Sequence, residues 1–361
     1  MSEIKTTREY HEGFRWALLA TVSIIALTGA ACNAKAADSN TAPFWIELGG
    51  QLAQNKTDAE VFAPHFLSAS PFEAASHVDL EKGPPSTWDG DAKIAFEPEG
   101  TGWVFSASIL YGKGNRHGSV NQQTANPSPG YGLFQAYQKF GARSEASHTV
   151  LDFQAGKDVG LGMFGNGGRS VLSLGVRYAQ FASSSNVSIQ SQPTNQVVAF
   201  GSYHRFYATL AAKRKFTGVG PSLSWDSSAA LFGNPSASSL TLDWGVNGAL
   251  LFGRQRANVH HQITNSRVVY RSPDHRTSFG SILVHIPVSR TNPSLNRSKE
   301  VIVPNLGGFA GVSWRYPNAK VSIGYRADFF FGAMDDGIDA AHRENLGFYG
   351  PFASVSVGIG G

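Results

Sequence analysis

The chain has 361 residues, 42% hydrophobic and only 16% charged, with 40 Gly, one Cys and a formal net charge of +4. Soluble domains carry roughly 25% charged residues, yet the low charge here comes without greasy runs, since beyond the N-terminus the apolar residues are scattered singly among Gly, Ser and Asn. This excludes a helical membrane bundle, whose spans each need about 20 consecutive apolar residues, and the single Cys excludes a cysteine-based metal or disulfide scaffold. The 12% aromatic content also argues against disorder.

The first 36 residues are predicted to be an export signal. Arg15 closes a charged n-region, 16–27 (WALLATVSIIAL) is an apolar core, and Ala34-Lys35-Ala36 fits the small-x-small cleavage pattern. Twelve apolar residues span about 18 Å, too little for a bilayer core of roughly 30 Å. Cys32 follows Gly29-Ala30-Ala31, a poor lipoprotein site. Cleavage would leave a single domain, 37–361, with 26 basic and 23 acidic residues, a balance of +3 that carries no nucleic-acid footprint.

From there on the sequence alternates with period two and shows no helical stripe. Trp103, Phe105, Ala107, Ile109 and Tyr111 share one face, and Leu172, Leu174, Val176 and Tyr178 another. Over 240–252, Leu240, Leu242, Trp244, Val246, Leu250 and Phe252 oppose Thr241, Asp243, Gly245, Asn247 and Ala249, spoiled only by Leu251. Over 321–331, Val321, Ile323, Tyr325, Ala327, Phe329 and Phe331 oppose Ser322, Gly324, Arg326 and Asp328. A soluble sandwich alternates too, but its wet face would carry many Lys and Glu. Here that face is Gly, Ser and Asn with lone charges, the strands exceed the usual five or six residues, and aromatics gather near strand ends as in membrane-barrel girdles. The expected fold is all-β, a transmembrane antiparallel up-and-down β-barrel of about 12 strands (range 10–14), closed so that every amide is satisfied within lipid.

The expected strands are 44–52, 87–97, 101–112, 146–163, 169–183, 202–216, 218–232, 239–258, 279–289, 299–316, 319–333 and 346–361. Their even number puts both termini in the periplasm, with short turns at 98–100, 165–168, Thr217 and 317–318, and outer loops at 53–86, 113–145, 184–201 and 334–346. Two features strain the scheme. The 259–278 turn is long, and if 259–298 is one outer loop the count changes by a hairpin. Pro287 also suits an edge better than a closed wall. Lys157 falls on the lipid face, at a cost of roughly 2–4 kcal/mol if mid-membrane, so an extramembrane place or a bulge is expected.

Several stretches, GVRYAQF (175–181), GVGPSLSWDSS (218–228), DWGVNGALLFGRQ (243–255), 303–339 and GFYGPFASVSVGIGG (347–361), resemble the Legionella major outer membrane protein family. The resemblance is specific in the second half of the chain and thin before about Asp152. It implies an outer-membrane barrel of a Gram-negative bacterium with pore-forming activity, and it carries no residue roles. The chain ends Ile359-Gly360-Gly361, without the terminal aromatic that helps recognition by barrel assembly machinery.

By parity the lumen receives Asp89, Asp91, Lys93, Asp152, Asp158, Arg177, Arg205, Asp226, Asp243, Asn247, Arg315, Arg326 and Asp328. Arg177, Arg205, Asp226, Asp243, Asn247, Arg315, Arg326 and Asp328 are the pore-lining candidates. The thirteen together, seven acidic and five basic, would make a wet, slightly acidic channel passing ions and small polar solutes by diffusion, with no cofactor. The alternative is a closed structural barrel, its charges paired and its surface loops acting in adhesion or binding. Partners are then outer-membrane lipids and the assembly machinery, with homo-oligomerisation left open. Gly160-x-Gly162-x-x-Gly165 precedes a turn and reads as a hairpin rather than a dinucleotide site. Asp335-Asp336-Gly337-Ile338-Asp339 lacks calcium-loop spacing. His260, His261, His275 and His285 lack metal-ligand spacing, and no nucleophile elbow supports a hydrolase, so neither a catalytic nor a metal site is expected.

Overall fold

The computed structural model describes residues 44–57, 62, 84, 86–98, 101–127, 133–159, 169–193, 202–234, 237–271 and 282–359. The export signal, Cys32 and the glycine motif at 160–165 lie outside them. The described chain is β-strand joined by turns. In order the strands are β1 (Phe44–Thr57), β2 (Ser86–Phe96), β3 (Trp103–Pro127), β4 (Leu133–Asp158), β5 (Arg169–Pro193), β6 (Ser202–Asn234), β7 (Ser238–Arg271), β8 (Ile282–Thr291), β9 (Ser294–Tyr316), β10 (Ala319–Asp335) and β11 (Arg343–Ile359).

Each neighbouring pair is antiparallel. The β6–β7 pairing closes the sheet, whose order is otherwise β6-β5-β4-β3-β2-β1-β11-β10-β9-β7-β8. Ten of the eleven strands form the ring. The eleventh, β8, pairs only with the far end of β7, Ile263 to Arg271, while β9 pairs with the near end, Ser239 to His260. Thus β8 and β9 are successive parts of one return strand, interrupted around Asn292-Pro293. The terminal strands β1 and β11 pair from Phe44↔Ile359 upward, so the barrel closes at its ends of chain.

Ten strands fall at the lower edge of the expected range, and two local readings account for the difference from twelve. Thr217 is no turn: it lies inside β6, flanked by Gln180 of β5 and Arg254 of β7. Nor is 259–271 a periplasmic turn, because β7 continues to Arg271, and 272–278 lie outside the described residues. Pro287 sits in β8 opposite Ser266, beside a register shift and with β7 as its one described neighbour, which is the edge setting a proline requires.

Strands β3 to β7 are 25 to 34 residues long. A membrane-crossing strand needs about 9–11, so these strands stand far above the bilayer on the side of the long connections. Segments 113–127, 133–145 and 184–193, expected as loops, are therefore strand.

An exposed apolar belt girdles the lower part. It includes Phe105, Ile109, Leu174, Leu223, Val246, Phe252, Leu306 and Ile323, all turned outward and 42% exposed or more. Aromatic residues thicken its lower edge: Trp103 stacks on Phe105 with centroids 6.4 Å apart, and Trp225 meets Trp244 edge-on at 4.9 Å. Such amphipathic rings suit the lipid–water boundary. Lys157 lies in the first described rung of the β3–β4 hairpin, its ammonium 5.7 Å from the Trp103 ring centroid. Its charge therefore sits at the lower interface, away from mid-membrane.

Candidate functional site

The inner wall of the barrel has three storeys. The lowest is ionic. Asp243 on β7 accepts hydrogen bonds from Ser313 at 2.7 Å and Thr241 at 3.0 Å, and it faces Arg315 and Lys320, each at 3.3 Å. Glu47 on β1 accepts from Ser356 at 2.9 Å. Above them Arg177 on β5 grips Asp152 with two parallel bonds, Nε to Oδ1 at 2.7 Å and Nη2 to Oδ2 at 2.8 Å. Its remaining arm, Nη1, donates across the lumen to Asn247 on β7 at 2.8 Å and to Asn305 on β9. A planar guanidinium can make such forked bonds, and a lysine could not.

Small residues make room for these charges. Asp328 lies directly across the β9–β10 ladder from Gly307, and Asp226 directly across β6–β7 from Gly245. A Cβ on either glycine would collide with the carboxylate opposite. The Gly-rich inner face is thus the complement of the lone charges set in it.

Seven of the eight pore-lining candidates, Arg177, Asp226, Asp243, Asn247, Arg315, Arg326 and Asp328, are buried or half-buried on the face of their strands opposite the apolar belt. The structure gathers Arg177 with Asn247, and Asp243 with Arg315. The Arg326 guanidinium stands apart, 5.2 Å from the ring centroid of Phe352, which also points inward. Arg205 is in β6 opposite Ser266, and its side chain lies outside the described residues. Asp158, expected in the lumen, is instead exposed at the lower rim, 3.8 Å from Arg169.

The middle storey is apolar. Phe181 of β5, Phe216 of β6, Phe330 of β10 and Phe348 of β11 meet across the barrel axis, with 1%, 0%, 1% and 9% of their surface exposed. Phe181 touches Phe330 edge-on at 4.7 Å and stacks near Phe216 and Phe348, both at 5.8 Å. Leu251, Val303, Ala53, Val150, Ala179, Ala333 and Met334 complete the layer. Because Phe181 and Phe330 come from strands on opposite sides of the ring, their contact closes the lumen with a septum. His148 braces it, its ring centroid 4.0 Å from that of Phe348 and its Nε2 3.1 Å from Asp89. Parity places Phe181, Phe330 and Phe348 inward from the sequence alone, whereas the expected turn at Thr217 hides Phe216.

The top storey lies above the belt. Ala142, Val187, Ile189, Ala208, Leu210, Ala212 and Val259 form a second apolar lining, into which the connections push Phe62 and Ile338. The acidic loop after β10 is held there by hydrogen bonds: Arg297 bonds Asp335 at 2.8 Å and the carbonyl oxygens of Gly337 and Ile338, His342 meets Asp336 at 2.6 Å, and His261 meets Asp339 at 2.8 Å. Its acids are thus engaged by side chains of the protein itself. His260 points outward and His261 inward, so the histidines do not converge; His275 lies outside the described residues, as does the side chain of His285. Among the described residues no group of His, Cys, Asp or Glu could hold a metal ion.

The family model described as Legionella pneumophila major outer membrane protein precursor matches residues 117–359, well over half of the chain. No curated protein matches. Solved structures similar to the chain include the Pseudomonas putida toluene transporter TodX, at 10% identity over 90% of each chain and a TM-score of 0.23. Another is the transport unit of the autotransporter AIDA-I from Escherichia coli, at 8% identity over 92% of this chain and 97% of that one, with a TM-score of 0.25. Likenesses this distant carry no argument about what crosses the barrel.

Proposed function

The chain belongs to the Legionella major outer membrane protein family, an outer-membrane β-barrel of Gram-negative bacteria, and from that premise we propose that it is a narrow, gated diffusion channel for ions and small polar solutes. The observation that carries this reading is the septum itself, one layer of phenylalanines lying directly above the ionic storey. Below it, the buried carboxylate oxygen Asp91 Oδ1 and the hydroxyl of Ser222 have no hydrogen-bond partner among the described residues. Buried polar groups of that kind are costly unless solvent or solute completes them. One apolar layer of large side chains is the form of a hydrophobic gate that closes by excluding water. Opening of this layer needs rotamer changes of the phenylalanines, without opening the wall.

Selectivity would follow the lower storey. Its described inward charges are Glu47, Asp89, Asp91, Asp152, Asp226, Asp243 and Asp328 against Lys93, Arg177, Arg315, Lys320 and Arg326. The acidic excess favours cations.

A second reading, the closed structural barrel with functional loops, is favoured by the cross-lumen contacts themselves. Single-channel recording in planar bilayers separates the two. We expect brief, infrequent steps from the native chain, and a several-fold larger mean current with cation-selective reversal from Phe181→Ala/Phe330→Ala. If the correctly folded double variant is as silent as the native chain, the barrel is structural and the loops carry its function.

A further inference from the structure

Outside the barrel, the apolar belt gives way abruptly to positive charge on two adjacent strands. On β6 the outward residues directly above Val219 are Thr217, Lys215 and Lys213; on β7 those directly above Phe252 are Arg254 and Arg256. The register sets Lys215 directly opposite Arg256 and Thr217 opposite Arg254. Directly opposed side chains have Cβ atoms about 5 Å apart, and like charges so placed repel. On this face of β6, β7 and β9 the only described carboxylate is Glu300, which lies 3.0 Å from Arg254. Lys213, Lys215 and Arg256 have no ion-pair partner among the described residues.

The height of the cluster identifies what could neutralise it. Arg254 is one outward step above Phe252, about 7 Å along the strand, so the cations stand at the level of lipid headgroups. Asn258, opposite Lys213, and Asn296 and Ser298 of β9 add neutral hydrogen-bonding groups to the same surface. Directly below, Val219, Leu223, Leu250, Phe252 and Ile302 form a continuous exposed apolar strip.

We infer that this face is a binding site for a phosphate-bearing lipid of the outer leaflet, its phosphates held among Lys213, Lys215, Arg254 and Arg256 and its acyl chains laid along the strip beneath. Guanidinium groups bind phosphate oxygens in pairs, and lysines reach them as mobile point charges. The apolar strip explains why the occupant is a lipid and not a free anion. The inference needs the outward face to meet lipid and is independent of whether the lumen conducts.

The test uses the full chain folded in dodecyl maltoside micelles and titrated with bisphosphorylated lipid A, read by native mass spectrometry. The native barrel should bind it at least ten-fold more tightly than Lys213→Gln/Lys215→Gln/Arg254→Gln/Arg256→Gln, and fully dephosphorylated lipid A should bind the native barrel as weakly as the variant does. Arg143→Gln, which alters a cation paired with Glu145 on β4, should leave binding unchanged. All four substituted side chains are surface groups, so the variant is expected to keep its heat-modifiable migration. If it misfolds, Lys215→Gln/Arg256→Gln alone should still lower affinity several-fold. Equal binding by native and folded variant chains would overturn the inference. So would undiminished binding of the dephosphorylated lipid, or displacement of lipid A by millimolar inorganic phosphate, which would mark a simple anion site.

Discussion

Arg177 is the residue on which the lower lumen turns. Its guanidinium is buried and satisfies Asp152, Asn247 and Asn305, which belong to three different strands. Removing one partner of a buried ion pair leaves the other charge uncompensated and costs roughly 3–5 kcal/mol. Arg177→Met should therefore lower the stability of the folded barrel by about that amount in urea, followed by tryptophan fluorescence. Arg177→Lys should recover only part, because an ammonium cannot make the forked bond to Asp152. Asp152→Asn added to Arg177→Met should restore some stability by removing the stranded charge. A loss below about 1 kcal/mol would show that the lumen is wet enough to screen Asp152. That Arg177 faces inward was legible in the sequence, since it alternates with Leu174, Val176 and Tyr178. Its partners were not, because Asn305 lies 128 residues away and only closure of the ring brings it near.

At the scale of the strand, the informative error concerns β6. Below Thr217 in the membrane, apolar residues such as Val219 and Leu223 face outward. Above it the phase inverts, with Ala208, Leu210, Ala212 and Phe216 facing inward and Lys213 and Lys215 outward. A change of phase in a period-two pattern resembles a turn between two strands. Physically it marks where a single strand leaves lipid for water, since the outer face must then be polar and the inner face supplies the core. The same inversion occurs in β7 between Phe252 and Ala257, and it makes Leu251, which spoils the alternation when read as a fault, a member of the septum. The continuity of β6 is testable by Thr217→Pro. In a paired strand proline deletes a ladder bond, which should be seen as a clearly lowered denaturation midpoint or failed folding, whereas a turn at 217 would tolerate it. Asn318→Gly, in the true turn between β9 and β10, should stay within about 1 kcal/mol of the native chain.

At the scale of the whole molecule, the membrane boundary and the septum sit at nearly the same height. Phe330 lies between the outward residues Phe329 and Phe331 at the top of the belt, and Leu251 lies between Leu250 and Phe252. Barrel class, belt and inward charges follow from alternation alone. The septum does not, because it depends on which inward residues of opposite walls reach the same level, and that is set by the strand register around the closed ring. The consequence we propose is asymmetry: with the short turns in the periplasm, the ionic storey communicates with that side and is shielded from the outside. A cysteine at Asn247, in a Cys32→Ser background, should react slowly or not at all with a small charged methanethiosulfonate added to intact cells. It should react at least ten-fold faster once the periplasm is made accessible. Adding Phe181→Ala and Phe330→Ala should raise the rate from outside towards that from within, since the septum separates the two. Fast labelling of the native septum variant from outside would mean that the four rings do not close the lumen in the membrane. Slow labelling from both sides would mean instead that Arg177 and its partners fill the lower storey as a solid plug.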